Sequence, residues 1–179
     1  IAACNAQGFY PALYYPHNIH FLWSASTMQG QSALSIESAR RVVENVRVGQ
    51  VKAFPTIEFF RTVPLLSLVR FAKWDDILAE PQPQEEFMFA RSVWHYARGV
   101  AYAAKGLPEK AKAELAMLDP LKDDVSVRFL DSRDYPGSAL VGIAIHLLRG
   151  EIAYRGGEFE AHGDAHSTHA DTHQIPKQF

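Results

Sequence analysis

The alternation of apolar and polar positions between residues 85 and 118 predicts two helices joined by a tight turn. Gly106 is suited to close the first helix because glycine readily takes a left-handed backbone conformation, and Pro108 suits the first turn of the second helix. The second helix has its own apolar face at Ala111, Leu115 and Leu118. We therefore expect an antiparallel helical hairpin. In the first helix, apolar side chains recur every three or four residues, the period of one buried helix face: Phe87, Ala90, Val93, Trp94, Ala97, Ala101 and Ala104.

Further helices are predicted on both sides of this hairpin. Upstream, one helix should run from residues 17–18 to 29 with Gly30 as its stop, and Ser32 should cap a second over 33–48. An apolar helical segment over 51–71 must be kinked or split by Pro64, and a short helix follows over 74–78. Downstream, residues 119–137 are expected to form a loop. Ser138 then caps a helix over 139–155, with this inward face: Leu140, Ile143, Ala144, Leu147, Leu148 and Ile152.

These elements predict an all-α chain in which antiparallel helical hairpins stack as an α-solenoid. We expect the helical repeat domain to span residues 1–161, with residues 1–7 as the last turns of a helix. Residues 162–179 form a polar tail with almost no large apolar side chain, so weak order is predicted there. Its histidines, spaced by four, three and four, could bind a transition metal if the tail were helical, but poor helix formers between them argue against it: His162, His166, His169 and His173.

The turn at Gly106 carries a family resemblance. Gly99, Tyr102, Gly106, Ala111 and Leu115 have a spacing similar to the tetratricopeptide repeat, in which Trp-x2-Leu-Gly-x2-Tyr is followed by Ala-x3-Phe. The chain departs from that pattern at several positions. His95 stands where the tryptophan is expected, Trp94 comes one place early, Arg98 replaces the leucine, Leu115 stands for the phenylalanine, and Pro120 is early for the closing proline.

Other turns extend the resemblance along the chain. Candidate turns at Gly30, Ala72, Gly106 and Gly157 include one interval, from Ala72 to Gly106, of 34 residues, which is the tetratricopeptide length; the others would need insertions. Strings at residues 14–22, 70–78 and 94–99 also resemble a bacterial family of tetratricopeptide-repeat proteins of undetermined function. Members of that family are longer at both ends, so the resemblance implies that this chain is an internal fragment.

Composition narrows the classes of function. The 179 residues are 47% apolar and carry a net charge of −2, which permits one substantial core but supplies no basic surface for nucleic acid. The single cysteine, Cys4, excludes an internal disulfide and a Cys-x2-Cys metal site. No apolar run reaches the roughly 18 residues of a membrane span. The sequence leaves bacterial cytoplasm and periplasm equally open.

Two groups of residues are candidates for binding. Solenoids bind ligands on the concave face lined by the first helix of each hairpin. This rule points to Tyr15 upstream and to five side chains of the central hairpin: Trp94, His95, Tyr96, Arg98 and Tyr102. Core packing is the alternative for Trp94 and Tyr102, whereas His95 and Arg98 should face the groove or a buried partner. His146, in an apolar stretch, is expected in the core or an interface.

His17 and His20 are the candidates for a metal site. They lie three residues apart at the start of a helix, behind an aromatic loop that could hold both rings. Zn, Cu or Ni would fit imidazole ligands, but two histidines supply only half of a tetrahedral zinc site, so further ligands must come from elsewhere. The alternative is that each ring bonds a loop carbonyl.

Three hypotheses follow. The first is an interaction module that holds a peptide or partner protein on its concave face. The second is a metal- or cofactor-binding protein built around His17 and His20, and this class includes enzymes. No catalytic motif or catalytic residue can be read from the sequence. The third is self-association, in which the solenoid buries its faces against copies of itself.

Overall fold

The computed structural model describes residues 14–157, and within that range every regular element is a helix. The all-α prediction is therefore confirmed. Two short 3-10 helices, Pro55–Thr62 and Asp119–Asp123, lie among the α-helices. The α-helices are α1 Tyr15–Met28, α2 Ser32–Glu44, α3 Val48–Ala53, α4 Val63–Arg70, α5 Trp74–Ala79, α6 Met88–Ala104, α7 Pro108–Leu118, α8 Val125–Asp131 and α9 Gly137–Arg155.

Three of the predicted turns share one geometry. Gly30, Ala72 and Gly106 have left-handed backbones with φ of 74°, 54° and 70°. After each, the N–H of the next residue donates to the carbonyl five residues earlier, at 2.9 Å in all three, which satisfies the helix end. The residue five places beyond each turn is fully buried: Ser35, Ile77 and Ala111. The three turns therefore join α1 to α2, α4 to α5 and α6 to α7 in the same way.

Each hairpin packs against the next along the chain. Helix α2 contacts α4, both α4 and α5 contact α6, and both α6 and α7 contact α9. Helix α6 is the central element because residues from it enter all three apolar clusters of residues 14–157. Within residues 14–157, no helix combines the length and the apolar character needed to cross a bilayer.

The prediction that residues 119–137 form a loop is wrong. This segment contains the second 3-10 helix and α8, whose N-terminus is capped by the Asp124 carboxylate accepting the Ser126 N–H at 2.7 Å. Val127 and Leu130, three residues apart, are its buried positions, while Val125 is 80% exposed. In the sequence, Val125, Val127 and Phe129 alternate in the manner of a strand, which hides this helical spacing. Upstream, the predicted helix over 33–48 ends at Glu44, and α3 begins separately at Val48.

The predicted inward face of α9 is correct for half of its six residues: Leu148 is buried, and Ala144 and Ile152 pack, partly buried, against the same apolar cluster. Helix α9 buries Val141, Ile145 and Leu148, whereas three of the residues expected inside remain accessible: Leu140 at 37%, Ile143 at 55% and Leu147 at 53%. Both sets repeat at helical spacing, so periodicity could not choose between them. His146, on the same helix, is exposed rather than in the core. Gly157, with φ of 77°, lies at the predicted turn after α9, whereas the predictions for residues 1–7 and 162–179 fall outside the described residues.

Candidate functional site

One cavity of the described residues is an apolar groove of about 410 Å³ between helices that are distant in sequence. Its walls come from α1, the first 3-10 helix, α4, α6 and α9, and one further residue, Tyr135, precedes α9. None of the lining residues is Asp, Glu, Lys or Arg. We call this surface the apolar groove, and these residues represent its walls: Trp23, Leu66, Val93, Tyr96, Ile143 and Leu147.

The groove leaves large apolar side chains in water. Leu66 on α4 is 37% exposed, and the exposed residues Leu140, Ile143 and Leu147 of α9 line the same groove. Fully burying one such side chain is worth roughly 1.5–3 kcal/mol. A concave, mainly apolar groove of this volume falls within the range of ligand-binding pockets.

An aromatic cluster closes the α1 end of the groove. The His20 ring lies 4.7 Å from Trp23, 5.5 Å from Phe59 and 5.4 Å from Phe60, measured between ring centroids. Burial, together with the neighbouring His17, lowers the pKa of His20, so its imidazole is neutral at physiological pH. The Trp23 Nε1–H donates to the Ser67 hydroxyl, so this N–H already has a partner within the protein.

Polar groups on the other walls are also occupied or neutral. The Thr62 hydroxyl donates to the Phe59 carbonyl at 2.7 Å, and the Ser92 hydroxyl donates to the Met88 carbonyl at 2.9 Å. Burial raises the pKa of Tyr96, with Glu151 adding to the effect. Burial, with a smaller effect of Glu58, raises the pKa of Tyr135 to about 12. Both phenols therefore stay protonated, and the groove carries no charge near neutral pH.

Most of the ligand residues predicted on α6 lie away from the groove. His95 Nδ1 lies 2.7 Å from a carboxylate oxygen of Glu114 on α7, and Arg98 Nε donates to the other oxygen at 2.7 Å. Arg98 also donates to the Tyr102 hydroxyl at 2.9 Å, and its guanidinium lies 4.4 Å from the Trp94 ring centroid. Together these residues fill the space between α5, α6 and α7.

The carboxylate of Glu114 contacts both His95 and Arg98 in this cluster. Burial acts to raise the pKa of Glu114, but the hydrogen bonds and charges of His95 and Arg98 outweigh it and lower the pKa. The structure thus places His95 and Arg98 on a buried partner, one of the two positions expected for them. Of the predicted ligand residues, Tyr96 lines the groove, and Tyr15 packs against the apolar cluster of α1 and α2.

The two candidate metal ligands are close in space but differ in surroundings. His17 is exposed and stacks edge-on against Phe21 at 4.6 Å, while His20 belongs to the aromatic cluster. In the part of the chain that the structure describes, no group of three or more His, Cys, Asp or Glu residues is placed to hold a metal ion. A metal at this pair would therefore need ligands from outside residues 14–157.

Glu58, which the sequence did not reveal as a candidate, lies on the first 3-10 helix, and its buried carboxyl group reaches the first turn of α6. Glu58 is 6% exposed and accepts the Ala90 N–H at 2.9 Å, so it caps α6 from a distant segment. Burial raises its pKa to about 7, although the N–H groups of Ala90 and Phe89 and the charge of Arg61 act in the opposite direction. The available signal was a single carboxylate within an otherwise apolar run, Ile57 to Phe60.

Comparison with models of known protein families, with curated proteins and with solved structures finds no match to this chain. The case for a function therefore rests on the residues and geometry of the groove.

Proposed function

We propose that this chain is a tetratricopeptide-like helical scaffold that binds a segment of a partner protein in the apolar groove. One observation carries the proposal. The groove crosses α1, α4, α6 and α9, and leaves Leu66, Ile143 and Leu147 in contact with water. Burying these side chains against a partner would supply the main driving force of binding.

The repeat character of the scaffold is supported by the turns. Each of three hairpins has one residue with a left-handed backbone at its turn, followed by the same backbone hydrogen bond. Two of these turns, at Ala72 and Gly106, are 34 residues apart. The α-helices that line the groove are the first helices of these hairpins, followed by α9, and the first 3-10 helix lines it with them. In stacked helical repeats this is the concave surface that takes ligands.

The chemistry of the groove favours recognition over catalysis. Among its lining residues, His20 is the group best suited to proton transfer, and the neighbouring hydroxyls of Thr62 and Ser92 donate to carbonyls rather than to its ring. The alternative function, a metal or cofactor site at His17 and His20, would depend on ligands from residues beyond 14–157. Apolar contact is what the described residues offer most directly.

Selection from a displayed library of random linear peptides tests the proposal. Peptides enriched on the protein should bind Ile143→Glu at least about tenfold more weakly, because the new carboxylate would be buried without a partner. Met117→Glu is the matched control, since Met117 on α7 is 56% exposed, close to the 55% of Ile143, and does not line the groove. Peptides that bind both variants equally, or no enrichment at all, would refute the proposal.

A further inference from the structure

We infer that the groove receives the apolar face of an α-helix from a partner protein, and not an extended segment or a charged chain end. The inference rests on the proposed function and specifies the kind of partner. Three features of the groove lead to it: the state of its hydrogen-bonding groups, its lack of charge, and the arrangement of its exposed side chains.

Six of the lining side chains carry a hydrogen-bonding group, and three of these groups are committed to the protein itself: the Trp23 N–H and the hydroxyls of Thr62 and Ser92. An extended peptide brings backbone N–H and C=O groups that need partners once they leave water. The walls are helices whose backbone groups bond internally, and the hydroxyls of Thr62 and Ser92 donate to backbone carbonyls. A helical ligand satisfies its own backbone, so it can enter such a groove at little polar cost.

The absence of charge excludes a charged terminus as the recognised group. No lining residue is Asp, Glu, Lys or Arg, and the imidazole of His20 is neutral. A carboxylate or ammonium group buried here would lose its hydration without gaining an ion pair, which is strongly unfavourable. The partner must therefore present uncharged side chains to the groove.

The exposed side chains are arranged to pack against a helix. Leu140, Ile143 and Leu147 on α9 are spaced by three and four residues, so they form one ridge about 10 Å long. Val93 and Tyr96 on α6, three residues apart, line the same groove. A ridge of this kind packs into the spaces between side chains of a second helix at an interaxial distance of about 8–10 Å. The partner helix should carry large apolar residues at positions i, i+3 or i+4, and i+7.

Two display libraries of equal size distinguish a helix from other ligands. In the first, the randomised positions lie on one face of a helix of about five turns with blocked ends. In the second, the same number of randomised positions lies in a proline-flanked extended segment that ends in a free carboxylate. Clones from both are measured against the wild-type protein, Ile143→Glu and the control Met117→Glu by fluorescence anisotropy at low and at high salt.

The expected result is that the helical library alone yields clones that Ile143→Glu weakens by at least about tenfold and Met117→Glu leaves unchanged. Their affinity should change little with salt, because no ion pair is formed. Circular dichroism of both variants should match that of the wild-type protein, since Ile143 and Met117 are exposed.

The remaining outcomes overturn the inference in different ways. Groove-dependent clones from the extended library alone, or from both libraries equally, would overturn the helical partner but leave the proposed function standing. No groove-dependent clone from these libraries or from the random linear library would overturn both. A dimer in light scattering that Ile143→Glu dissociates and Met117→Glu does not would identify a second copy of this chain as the occupant, against the inference.

Discussion

Glu58 is a carboxyl group that the fold holds out of water, and its protonation should control stability near neutral pH. Its folded-state pKa of about 7 lies above the ordinary value of 4.5, so the folded protein holds this proton more tightly than the unfolded chain does. The stabilisation is fully present below the ordinary value and is lost as pH rises towards 7. Its size is about 3 kcal/mol, at 1.36 kcal/mol for each unit of pKa.

We predict that Glu58→Gln removes this pH dependence. The Gln carbonyl can still accept the Ala90 N–H, but it cannot ionise. The free energy of unfolding of the wild-type protein minus that of Glu58→Gln should therefore decrease by about 3 kcal/mol as pH rises from below 4.5 to above 7. Urea titrations at a series of pH values measure this difference.

Other titrating groups should cancel from that comparison. The lowered pKa of His20 has the opposite effect, because its stabilisation is lost as pH falls below the ordinary value of 6.5, but it is present in both proteins. Glu37→Gln, a change at an exposed glutamate of α2, serves as the control and should leave the wild-type pH dependence intact. A constant difference between wild type and Glu58→Gln across the pH range would contradict the prediction.

At the scale of helices, the register between α6 and α9 depends on Gly99. A Cβ added at Gly99 would lie 2.5 Å from a methyl carbon of Leu148, which is fully buried, so the Leu148 side chain or one of the two helices would have to shift within a closely packed core. The missing side chain thus lets Leu148 enter the space between the helices. This contact turns the Leu140, Ile143 and Leu147 side of α9 towards the groove.

We predict that Gly99→Ala lowers the free energy of unfolding by about 1–3 kcal/mol, because overpacking outweighs the better helix propensity of alanine. Gly150→Ala is the control: Gly150 lies within α9, and a Cβ there meets nothing within 4 Å. That change should raise the free energy of unfolding by up to about 1 kcal/mol. Urea unfolding measures both variants, and a change of the same sign in both would be evidence against the close contact.

What can be predicted from this sequence is what neighbouring residues determine. The turns at Gly30 and Gly106 follow from backbone preferences within a few residues, and the structure confirms both. The face of α9 could not be predicted, since it depends on Gly99, which is distant in sequence. Helix α8 was missed because its signal, two buried residues after the Asp124 cap, is weak in so short an element.

The groove was harder to predict than the helices. Its walls come from separate parts of the chain, and only their packing shows that Tyr96 faces the groove while His95 and Arg98 face Glu114. All three lie on one helix within a single turn, so spacing placed them in the same candidate site. The concave-face hypothesis named α6, which is one of the helices that line the groove, but it could not separate the two sides of that helix.

At the scale of the whole molecule, α6 contributes side chains to each of the three apolar clusters of residues 14–157. Ala90 belongs to the apolar cluster of α1 and α2, Phe89 and Val100 to that of α7, α8 and α9, and Ala97 and Ala101 to that of α4 and α5. Stacked helical repeats often unfold in steps because each unit contacts only its neighbours. Here one helix contributes to every cluster, which should couple them.

We therefore predict a single cooperative unfolding transition. Ile19→Ala in the first cluster and Leu148→Ala in the second should each lower stability by about 2–5 kcal/mol, the cost of a cavity left by a buried Leu or Ile. For each variant, the urea transition followed by tryptophan fluorescence and the transition followed by far-ultraviolet circular dichroism should move to one shared, lower midpoint. Coupling of this kind matters for binding because α1 and α9, the first and the last of the described helices, both line the groove. If Ile19→Ala instead splits the transition in two, α1 and α2 unfold on their own, and the groove would lose one wall while the rest of the protein stays folded.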